Sequence, residues 1–380
     1  MPTLTPKQKQ VFDFTFSFIK SEGFAPSINE IRNNLGLKSV ATIHQHLQAL
    51  EKKGYIKREK NQKRHIELTA EMSPMVKPEI IISPVKKYDV LPLNTIICGD
   101  AVEELKKIPD ESCDIIIADP PYNIGKDFGN NTDKRELGEY IEWCKSWINE
   151  SIRALKPNGT MFIYGFSEIL AHLSIEIPIQ KRWLIWHYTN KNVASLNFWQ
   201  RSHEAIICAW KNKPVFNRDK VREPYTEGFL NGAAGKVRKG TLGRFSKNGL
   251  ETVYKAHESG ALPRDVIKIP ALAGGAGMIE RWFLCKTCDS VCEPRQLKNH
   301  NGHEIMKHPT QKPFELSKKL IKSAMPKKDG VVLVPFVGTG SECAAAKELG
   351  QSYIGFEINP DYVRIAEKTI NDTKTLSPLF

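Results

Sequence analysis

The 380-residue sequence lacks an apolar run long enough to cross a membrane, and its polar N-terminus lacks the pattern of a secretory signal peptide. Cysteine is also sparse, with eight residues that mostly stand alone in apolar stretches and are typical of inert core thiols. These absences argue against a membrane-bound protein and against a secreted, disulfide-stabilised one. We therefore expect a protein of the reducing cytoplasm of a prokaryote or a phage-infected cell, with no membrane partner.

Acidic residues are scarce relative to basic ones, since 43 Asp and Glu face 55 Lys and Arg and leave a formal net charge of +12. This excess of positive charge favours a polyanionic partner, and nucleic acid is the first candidate. The hydrophobic share of 41% suffices for a sizeable core. A chain of this length is expected to form two or three domains.

Residues 1–69 have the pattern of a small winged helix-turn-helix domain, with three helices followed by two short strands around a basic turn. The first helix begins at Pro6, the second follows a capping-box pattern at Ser27, and the third spans about residues 39–53. The segment holds twelve Lys and Arg against six Asp and Glu. The residues expected to contact DNA are Ser39, Thr42, His44, Gln45, Lys60, Lys63 and Arg64. Contacts with proteins alone are the alternative use of such a domain.

The same segment resembles the DNA-binding domain of the LexA repressor. The similarity lies in residues 4–8 (LTPKQ), 26–28 (PSI), 30–31 (EI), 35–36 (LG), 46–50 (HLQAL) and 53–56 (KGYI). The self-cleaving protease half of that repressor is not seen downstream. The resemblance therefore implies DNA binding without the repressor's regulation.

A proline-containing stretch separates this segment from the rest of the chain. Residues 70–92 contain four prolines and show no clean periodicity, which predicts a linker. From residue 93 to residue 374, predicted strands and helices alternate, which is typical of an α/β domain with a parallel sheet.

The most informative stretch is Asp119-Pro120-Pro121-Tyr122, which follows the apolar run 113–118 (CDIIIA). The run predicts a buried parallel strand, and ligands bind at the carboxyl ends of strands in open α/β sheets. Two prolines remove two backbone donors, so the loop presents carbonyl acceptors beside a carboxylate and an aromatic ring. We expect Asp119 and the Pro120 carbonyl to accept the two hydrogens of an NH2 group, with Tyr122 stacked on its ring. A strand-ending turn with a capping Asp is the alternative.

A second apolar run, 331–334, enters a glycine-containing turn and then a helix, and the residues expected to contact a ligand there are Phe336, Gly338, Gly340 and Ser341. Glycines allow close approach to the backbone, and a helix N-terminus favours electron-rich groups. The next strand ends at Glu357, whose carboxylate can accept both ribose hydroxyls. Cys343 stands where a dinucleotide fingerprint has its third glycine. The pattern therefore favours a nucleoside without a pyrophosphate, and S-adenosylmethionine fits it.

Two further segments are expected near the same ligand. Asp100 and Ala101 follow the predicted strand 95–98, where Asp100 can reach a ligand amine, cap the next helix, or do both. The segment 308–313 (HPTQKP) can place Thr310 and Lys312 near the methionine end of S-adenosylmethionine. A plain helix start is the alternative for that segment.

The middle of the chain has the composition of a nucleic-acid-facing region. Residues 211–256 hold eleven Lys and Arg against four Asp and Glu, interleaved with aromatic residues. Cations suit phosphates and aromatic rings suit bases, so we expect a target-recognition region over about residues 187–305. The DNA-contacting residues expected here are Lys191, Arg201, Arg238, Lys239 and Arg244. A solvated insertion is the alternative.

A cysteine and histidine cluster falls inside this region, at residues 282–305. Cys285 and Cys288 are followed by His300 and His303, which together match a tetrahedral Cys2His2 zinc site. The spacing of the two histidines is one residue shorter than usual, and Cys292 could replace one ligand. A redox-inert loop is the alternative to structural zinc.

Together these stretches resemble the β-class DNA amino-methyltransferases of the adenine-N6 group. The similarity covers about residues 94–367 and rests on 118–124 (ADPPYNI), 155–159 (LKPNG), 203–204 (HE), 263–266 (PRDV), 308–313 (HPTQKP) and 335–341 (PFVGTGS). The order of these motifs, catalytic first and cofactor last, is specific to that class. One departure is Val334, where the family usually has Asp.

The resemblance implies a Rossmann-like, seven-stranded, mostly parallel sheet with helices on both faces. It implies S-adenosylmethionine as methyl donor, double-stranded DNA as substrate, and catalysis at Asp119, Pro120, Pro121 and Tyr122 on the N6 of a flipped adenine. Asp119 is also expected to contact the cofactor. N4-cytosine methylation is one alternative, and a transcriptional regulator with a secondary methyltransferase body is another. A separate restriction endonuclease and a second copy of the chain are candidate partners.

Overall fold

The computed structural model describes residues 4–22, 25–35, 39–58, 66–68, 86–125, 134–190, 197–232, 234–239, 251–253, 255–272, 280–326 and 329–374. The chain separates into two compact units, Met1–Val85 and Lys86–Phe380. The predicted linker 70–92 lies mostly outside the described residues. Its last part belongs to the larger unit, where the Tyr88 hydroxyl donates to Glu104 at 3.2 Å. The predicted boundaries at residues 69, 93 and 374 stay predictions.

The smaller unit is a winged helix-turn-helix, as the sequence predicts. It contains α1 (Pro6–Glu22), α2 (Ile28–Asn34), α3 (Val40–Lys52) and the antiparallel pair β1 (Ile56–Arg58) and β2 (Ile66–Leu68). Ser27 caps α2, since its hydroxyl accepts from the Glu30 N–H while Glu30 bonds back to the Ser27 N–H. Ile31, Ile43 and Leu47 are fully buried and form the centre of this unit's own core.

The larger unit is an α/β domain built around one eight-stranded sheet. Its strands are β3 (Thr95–Cys98), β4 (Cys113–Ala118), β5 (Leu155–Gly165), β6 (Gln180–His187), β7 (His203–Trp210), β10 (Val266–Lys268), β14 (Val331–Val334) and β15 (Ser352–Glu357). The short strands β8 (Val237–Lys239) and β9 (Glu251–Val253) form a separate hairpin. The strands β11 (Phe283–Cys285), β12 (Ser290–Cys292) and β13 (Ile305–Met306) form a small third sheet.

The strand order in the main sheet is β10-β6-β7-β5-β4-β14-β15-β3. All neighbours pair in parallel except β7, which is antiparallel to both β5 and β6. The expected count of seven strands is wrong by one, because the short segment Val266–Lys268 adds β10 to the edge beside β6. A strand within the predicted target-recognition region therefore extends the sheet.

Helices cover both faces of this sheet, as predicted. They are α4 (Ala101–Lys107), α5 (Leu137–Ala154), α6 (Ser167–Glu176), α8 (Phe314–Ala324), α9 (Ser341–Glu348) and α10 (Pro360–Asp372). The short helix α7 (Glu227–Gly232) precedes β8 and has no buried residue. Helices α4, α5 and α6 bury one face, and α8, α9 and α10 bury the other. Covered on both faces, β4 is buried along its whole length, which explains its continuous apolar run. Within the described residues, every helix is too short or too polar to cross a membrane.

Asp114 is the polar exception in β4, and its carboxylate joins three parts of the sheet. The Oδ2 atom accepts from the Lys156 Nζ at 2.8 Å and from the Val331 N–H at 3.0 Å. Asp114 thereby satisfies the first backbone donor of β14, which would otherwise be buried without a partner.

We predict that Asp114→Ala lowers the free energy of unfolding of the larger unit by about 2–4 kcal/mol, because it leaves a buried N–H and an ammonium without their acceptor. All seven tryptophans lie in this unit, so fluorescence-detected urea unfolding reports it selectively. Asp89→Ala is the control, since both partners of its ion pair with Lys86 are exposed and such pairs contribute little to stability. Equal losses from the two variants would contradict the structural role of Asp114.

Candidate active site

The carboxyl ends of the parallel strands border one cavity. Asp119, Pro120, Pro121 and Tyr122 line it after β4, and residues of the glycine turn line it after β14. Gly99, Asp100 and Ala101 lie at the end of β3, and Glu357 lies at the end of β15. The structure thus brings the two informative sequence stretches to one site, at the edge of the sheet where open α/β folds bind ligands.

Asp119, Tyr122, Glu204 and Lys312 form a buried polar group, here called the Asp119 cluster. The Lys312 Nζ donates to both carboxylate oxygens of Asp119, at 2.8 and 2.7 Å, and lies 3.5 Å from Glu204. The Tyr122 hydroxyl donates to Asp119 at 2.6 Å and lies 3.2 Å from Glu204. The position of Asp119 is therefore held by a cation and a phenol.

The charge of Lys312 is maintained by its two acidic neighbours. Its side chain is only 2% exposed, and burial alone would lower its pKa. The attraction of Asp119 and Glu204 outweighs that effect, so the pKa is raised. Burial, followed by the charge of Asp119, raises the pKa of Tyr122 well above its usual range, so this phenol stays a hydrogen-bond donor.

The structure places the ammonium of Lys312 between two carboxylates at the Asp119 loop, because a buried lysine needs charged partners. Its expected position near the methionine end of a cofactor stays a prediction. Lys312 also lines the cavity beside Thr310.

Glu204 is a site residue that the sequence pattern did not single out. It stands at the amino end of β7, and because β7 runs antiparallel, this end meets the carboxyl ends of the parallel strands. The Tyr188 hydroxyl donates to its second oxygen at 2.7 Å. The only signal in the sequence was the short motif His203-Glu204, which gives no strand direction.

The two prolines have different surroundings. The Tyr140 hydroxyl donates to the Pro121 carbonyl at 2.6 Å, so helix α5 fixes that peptide. Among the described residues, the Pro120 carbonyl has no hydrogen-bond donor in the protein. The Pro120 carbonyl and the Asp119 carboxylate are thus the acceptors available to a ligand at this loop.

An aromatic wall completes this end of the cavity. The ring of Tyr122 is buried and meets Phe166 edge-on, with centroids 5.2 Å apart. The guanidinium of Arg201 lies 4.3 Å from the centre of the Phe166 ring and is paired with Glu168. Arg201, predicted to contact DNA, therefore has intramolecular partners close to the active-site loop.

At the other end of the cavity, the glycine turn presents its backbone. Gly338 has a φ of +53°, and an added Cβ would lie 3.0 Å from the His308 ring, so only glycine fits without strain. The Gly338 N–H donates to the Glu357 carboxylate at 2.8 Å. Burial raises the pKa of Glu357, although the bonds from the Asn359 and Gly338 N–H groups oppose the shift.

Three further residues were predicted to contact the cofactor, and two of them line the cavity. Phe336 and Ser341 line the cavity, and Phe336 is held by the rings of Trp143 and Trp147. Gly340 packs away from the cavity, because an added Cβ there would lie 3.0 Å from Ala366. Gly340 also stands at the N-cap of α9, at a φ of +89°, and its predicted contact with a ligand stays a prediction.

Asp100 caps a helix and also lines the cavity. The Asp100 carboxylate accepts from the Val102 and Glu103 N–H groups at 2.9 and 3.2 Å, which makes it the cap of α4. Asp100 also lines the cavity, together with Ala101.

The residues predicted to contact DNA are only partly described. In the smaller unit, Ser39 caps α3, and His44 and Gln45 are exposed on that helix beside the half-buried Thr42. Arg238 and Lys239 lie on β8. The positions of Lys60, Lys63, Arg64, Lys191 and Arg244 lie outside the described residues.

The cysteine and histidine cluster is brought together as predicted from its spacing. The ligand atoms of Cys285, Cys288, His300 and His303 all lie within 4.8 Å of one another. Cys292 lies outside this group. The short spacing between the histidines is accommodated because Gly302, with a φ of +79°, reverses the chain between them.

Glu342 is a further buried acid near the Asp119 cluster, and sequence reasoning missed it because it lies inside helix α9. Its carboxylate accepts from the Ser317 hydroxyl at 3.1 Å. Burial and the charge of Asp119 raise the pKa of Glu342 from 4.5 to about 7.

We predict that Glu342 makes the protein less stable as pH rises. Its folded pKa exceeds its unfolded pKa, so the folded state binds more protons between pH 4.5 and about 7. The stability loss accumulates across that window and reaches at most roughly 3 kcal/mol above it. Unfolding of Glu342→Gln should lack this pH dependence, whereas the exposed Glu367→Gln should retain it. An identical pH dependence for Glu342→Gln and wild type would contradict the prediction.

Comparison with known proteins places this geometry in a family. Residues 113–368 match the DNA methylase family of N6 and N4 methylases, and residues 1–65 match the LexA DNA binding domain. The chain is similar to the Type II methyltransferase M.HpaI of Haemophilus parainfluenzae, with 27% identity over 285 residues, covering 73% of this chain and 74% of that protein. It is 29% identical over 283 residues to the DNA adenine methyltransferase YhdJ of Escherichia coli strain K12, covering 73% of this chain and 82% of that protein.

A solved structure supports the fold. The PvuII DNA methyltransferase, which is cytosine-N4-specific, superimposes with a TM-score of 0.50 at 15% identity and covers 75% of this chain and 87% of that one. The family match includes the β4 strand, the Asp119 loop, the glycine turn and Glu357. The chain belongs to the DNA methylase family and carries a LexA-like DNA-binding domain at its N-terminal end.

Proposed function

We propose that this DNA methyltransferase transfers a methyl group from S-adenosylmethionine to the N6 of an adenine, flipped out of double-stranded DNA at a specific sequence. The observation that carries the proposal is the partly buried Asp119 carboxylate, held beside the Pro120 carbonyl at one end of a cavity with nucleoside-binding features at the other. The adenine specificity named for YhdJ supports this choice of base. N4 of cytosine is the second candidate, since its amine has the same two hydrogens.

The residues along the cavity fit S-adenosylmethionine. The Glu357 carboxylate would accept the ribose hydroxyls, and Phe336 and Ile358 would flank the adenine ring. Thr310 and Asp100 would meet the polar methionine end, and Gly338 leaves room for close approach to the backbone. When bound, S-adenosylmethionine supplies a methyl group on a positively charged sulfur, which is open to attack by a lone pair.

The target amine is a poor nucleophile because its lone pair is delocalised into the base. Asp119 and the Pro120 carbonyl would each accept one of its hydrogens, which localises the lone pair toward the methyl group. A carboxylate has about four acceptor positions. Tyr122 and two contacts from Lys312 occupy three of them in this structure. One position on Asp119 is thus left for the amine.

The chain's contribution to rate is orientation and electrostatics. Direct transfer forms the N–C bond as the S–C bond breaks, and the methylated amine then loses a proton, for which Asp119 is the adjacent acceptor. Extruding the base costs a few kcal/mol. Stacking on Tyr122, which lines the cavity, would offset about 1–3 kcal/mol of that cost.

Recognition of the sequence belongs to other parts of the chain. We assign it to the region of about residues 187–305, with the basic hairpin of β8 and β9, and to the exposed face of α3 in the smaller unit. The name of M.HpaI as a Type II methyltransferase supports a separate restriction endonuclease as partner. A homodimer stays a prediction from the sequence. A structural zinc ion at Cys285, Cys288, His300 and His303 belongs to the same proposal.

We predict that Asp119→Ala abolishes methyl transfer, with a drop in rate of about 10³-fold or more, because the amine loses its charged acceptor. Transfer of tritium from labelled S-adenosylmethionine to mixed-sequence DNA measures the rate, and calorimetry should show cofactor affinity within about threefold of wild type. Asp110→Ala, at an exposed site, is the control. A wild-type protein that binds DNA without labelling it would favour the regulator alternative, and an active Asp119→Ala would overturn the catalytic assignment.

Lys312→Met tests the positioning role of the buried ammonium. We expect kcat to fall by about 10²-fold with little change in the KM for S-adenosylmethionine, because Asp119 loses its orientation. Lys145→Met, at an exposed pair with Glu142, should match wild type. A kcat close to that of wild type, or a rise in KM in place of a fall in kcat, would contradict the role of Lys312.

A further inference from the structure

The small third sheet and its turns form a separate element, here called the Cys/His module, over residues 282–306. Its strand order is β12-β11-β13, and a 3-10 helix, Pro294–His300, connects β12 to the turn before β13. The Cys288 sulfur lies 3.1 Å, and the Cys285 sulfur 3.4 Å, from Nδ1 of His303. The buried Nδ1 of His300 lacks a hydrogen-bond partner in the described part of the chain.

This arrangement has the donor set of a closed structural zinc site. Two thiolates and two imidazoles from four positions can surround one ion tetrahedrally. Among the described residues, the buried Nδ1 of His300 has no hydrogen-bond partner, so a ligand outside the protein could satisfy it. The strands of the module have two or three residues each, which is too little to bury a core of their own. Binding of a metal ion would stabilise the folded module.

One face of the module is packed on helix α10. Leu284 is fully buried against Tyr362 and Ile365 in one hydrophobic cluster. Two ion pairs flank this contact, one between Lys286 and Asp361 and the other between Arg364 and Asp289. Arg364 also donates to the Asp289 carbonyl at 2.9 Å.

Both connections from the module lead to the cofactor end of the cavity. Tyr362 lines the cavity and meets the ring of His308 edge-on, with centroids 4.8 Å apart. His308 lies two residues after β13, and its Nδ1 accepts from the Thr310 N–H at 3.3 Å. The wall formed by Tyr362, His308 and Thr310 therefore depends on the module from two sides.

We infer that a zinc ion bound by Cys285, Cys288, His300 and His303 braces the cofactor-binding wall formed by Tyr362, His308 and Thr310. The zinc site is thus a positioning site for the methyl donor, distant from the reacting atoms. The inference rests on the proposed function, because the cavity must bind S-adenosylmethionine for the brace to matter. Since the two sites are coupled, each ligand should tighten the binding of the other by the same factor.

The test uses the full chain, with zinc measured by inductively coupled plasma mass spectrometry and S-adenosylmethionine affinity by calorimetry. We expect one zinc per chain, a loss of cofactor affinity of about tenfold or more after chelation, and recovery when zinc is restored. Saturating S-adenosylmethionine should raise the affinity for zinc by the same factor in a chelator competition. This reciprocity is a readout that a remote structural metal would not give.

Three variants separate the contributions. Cys288→Ser should lose both zinc and cofactor affinity, whereas Cys292→Ala, in the same module but outside the ligand group, should keep both. Arg364→Gln leaves the zinc ligands intact and weakens the docking on α10, so it should keep zinc and lower cofactor affinity about three- to tenfold. Arg364→Gln also gives a test if Cys288→Ser fails to fold.

Failure of the brace and failure of the proposed function give different results. Absence of stoichiometric zinc, or unchanged cofactor affinity both in the zinc-free protein and in Arg364→Gln, would overturn the brace and leave the proposed methyl transfer standing. Failure of the zinc-loaded wild type to bind S-adenosylmethionine would overturn the proposed function and the brace with it.

Discussion

The buried contact of Lys312 with Asp119 and Glu204 is the interaction on which the active site depends. The ammonium of Lys312, which lies just before α8, contacts Asp119 in the loop after β4 and Glu204 at the start of β7. It thereby connects three separate segments of the chain. A buried charge is tolerated only with charged partners, and here each partner also holds a phenol. The same contact therefore positions Asp119 and makes the loop rigid before any substrate arrives.

The sheet topology makes that contact available. Parallel strands place Asp119, the glycine turn and Glu357 at one edge, and the single antiparallel strand β7 brings the amino end that carries Glu204 to the same edge. One end of the resulting cavity presents carboxylate and carbonyl acceptors, and the other presents glycine backbone and an acid. The division suits two ligands that meet in the middle, a base with an amine and a nucleoside that carries a methyl group.

The parts of the active site that are encoded within a few consecutive residues were predictable from the sequence. The apolar run, the prolines of the Asp119 loop, the glycine turn and the Cys/His spacing each encode their own conformation over a few residues. The partners of Asp119 were not predictable in this way, because Lys312 is 193 residues away and its reach depends on how α8 packs. Glu204 required the direction of β7, and Gly340 required its neighbour Ala366. The edge strand β10 is three residues long, too short for a periodic pattern.

The most direct test of the account identifies the methylated base. DNA modified by the wild-type protein with S-adenosylmethionine is digested to nucleosides and analysed by mass spectrometry with authentic standards. The account predicts N6-methyl-2′-deoxyadenosine in wild-type reactions and its absence from Asp119→Ala reactions. N4-methyl-2′-deoxycytidine in its place, or the complete absence of methylated nucleosides, would contradict the proposed chemistry of the Asp119 loop.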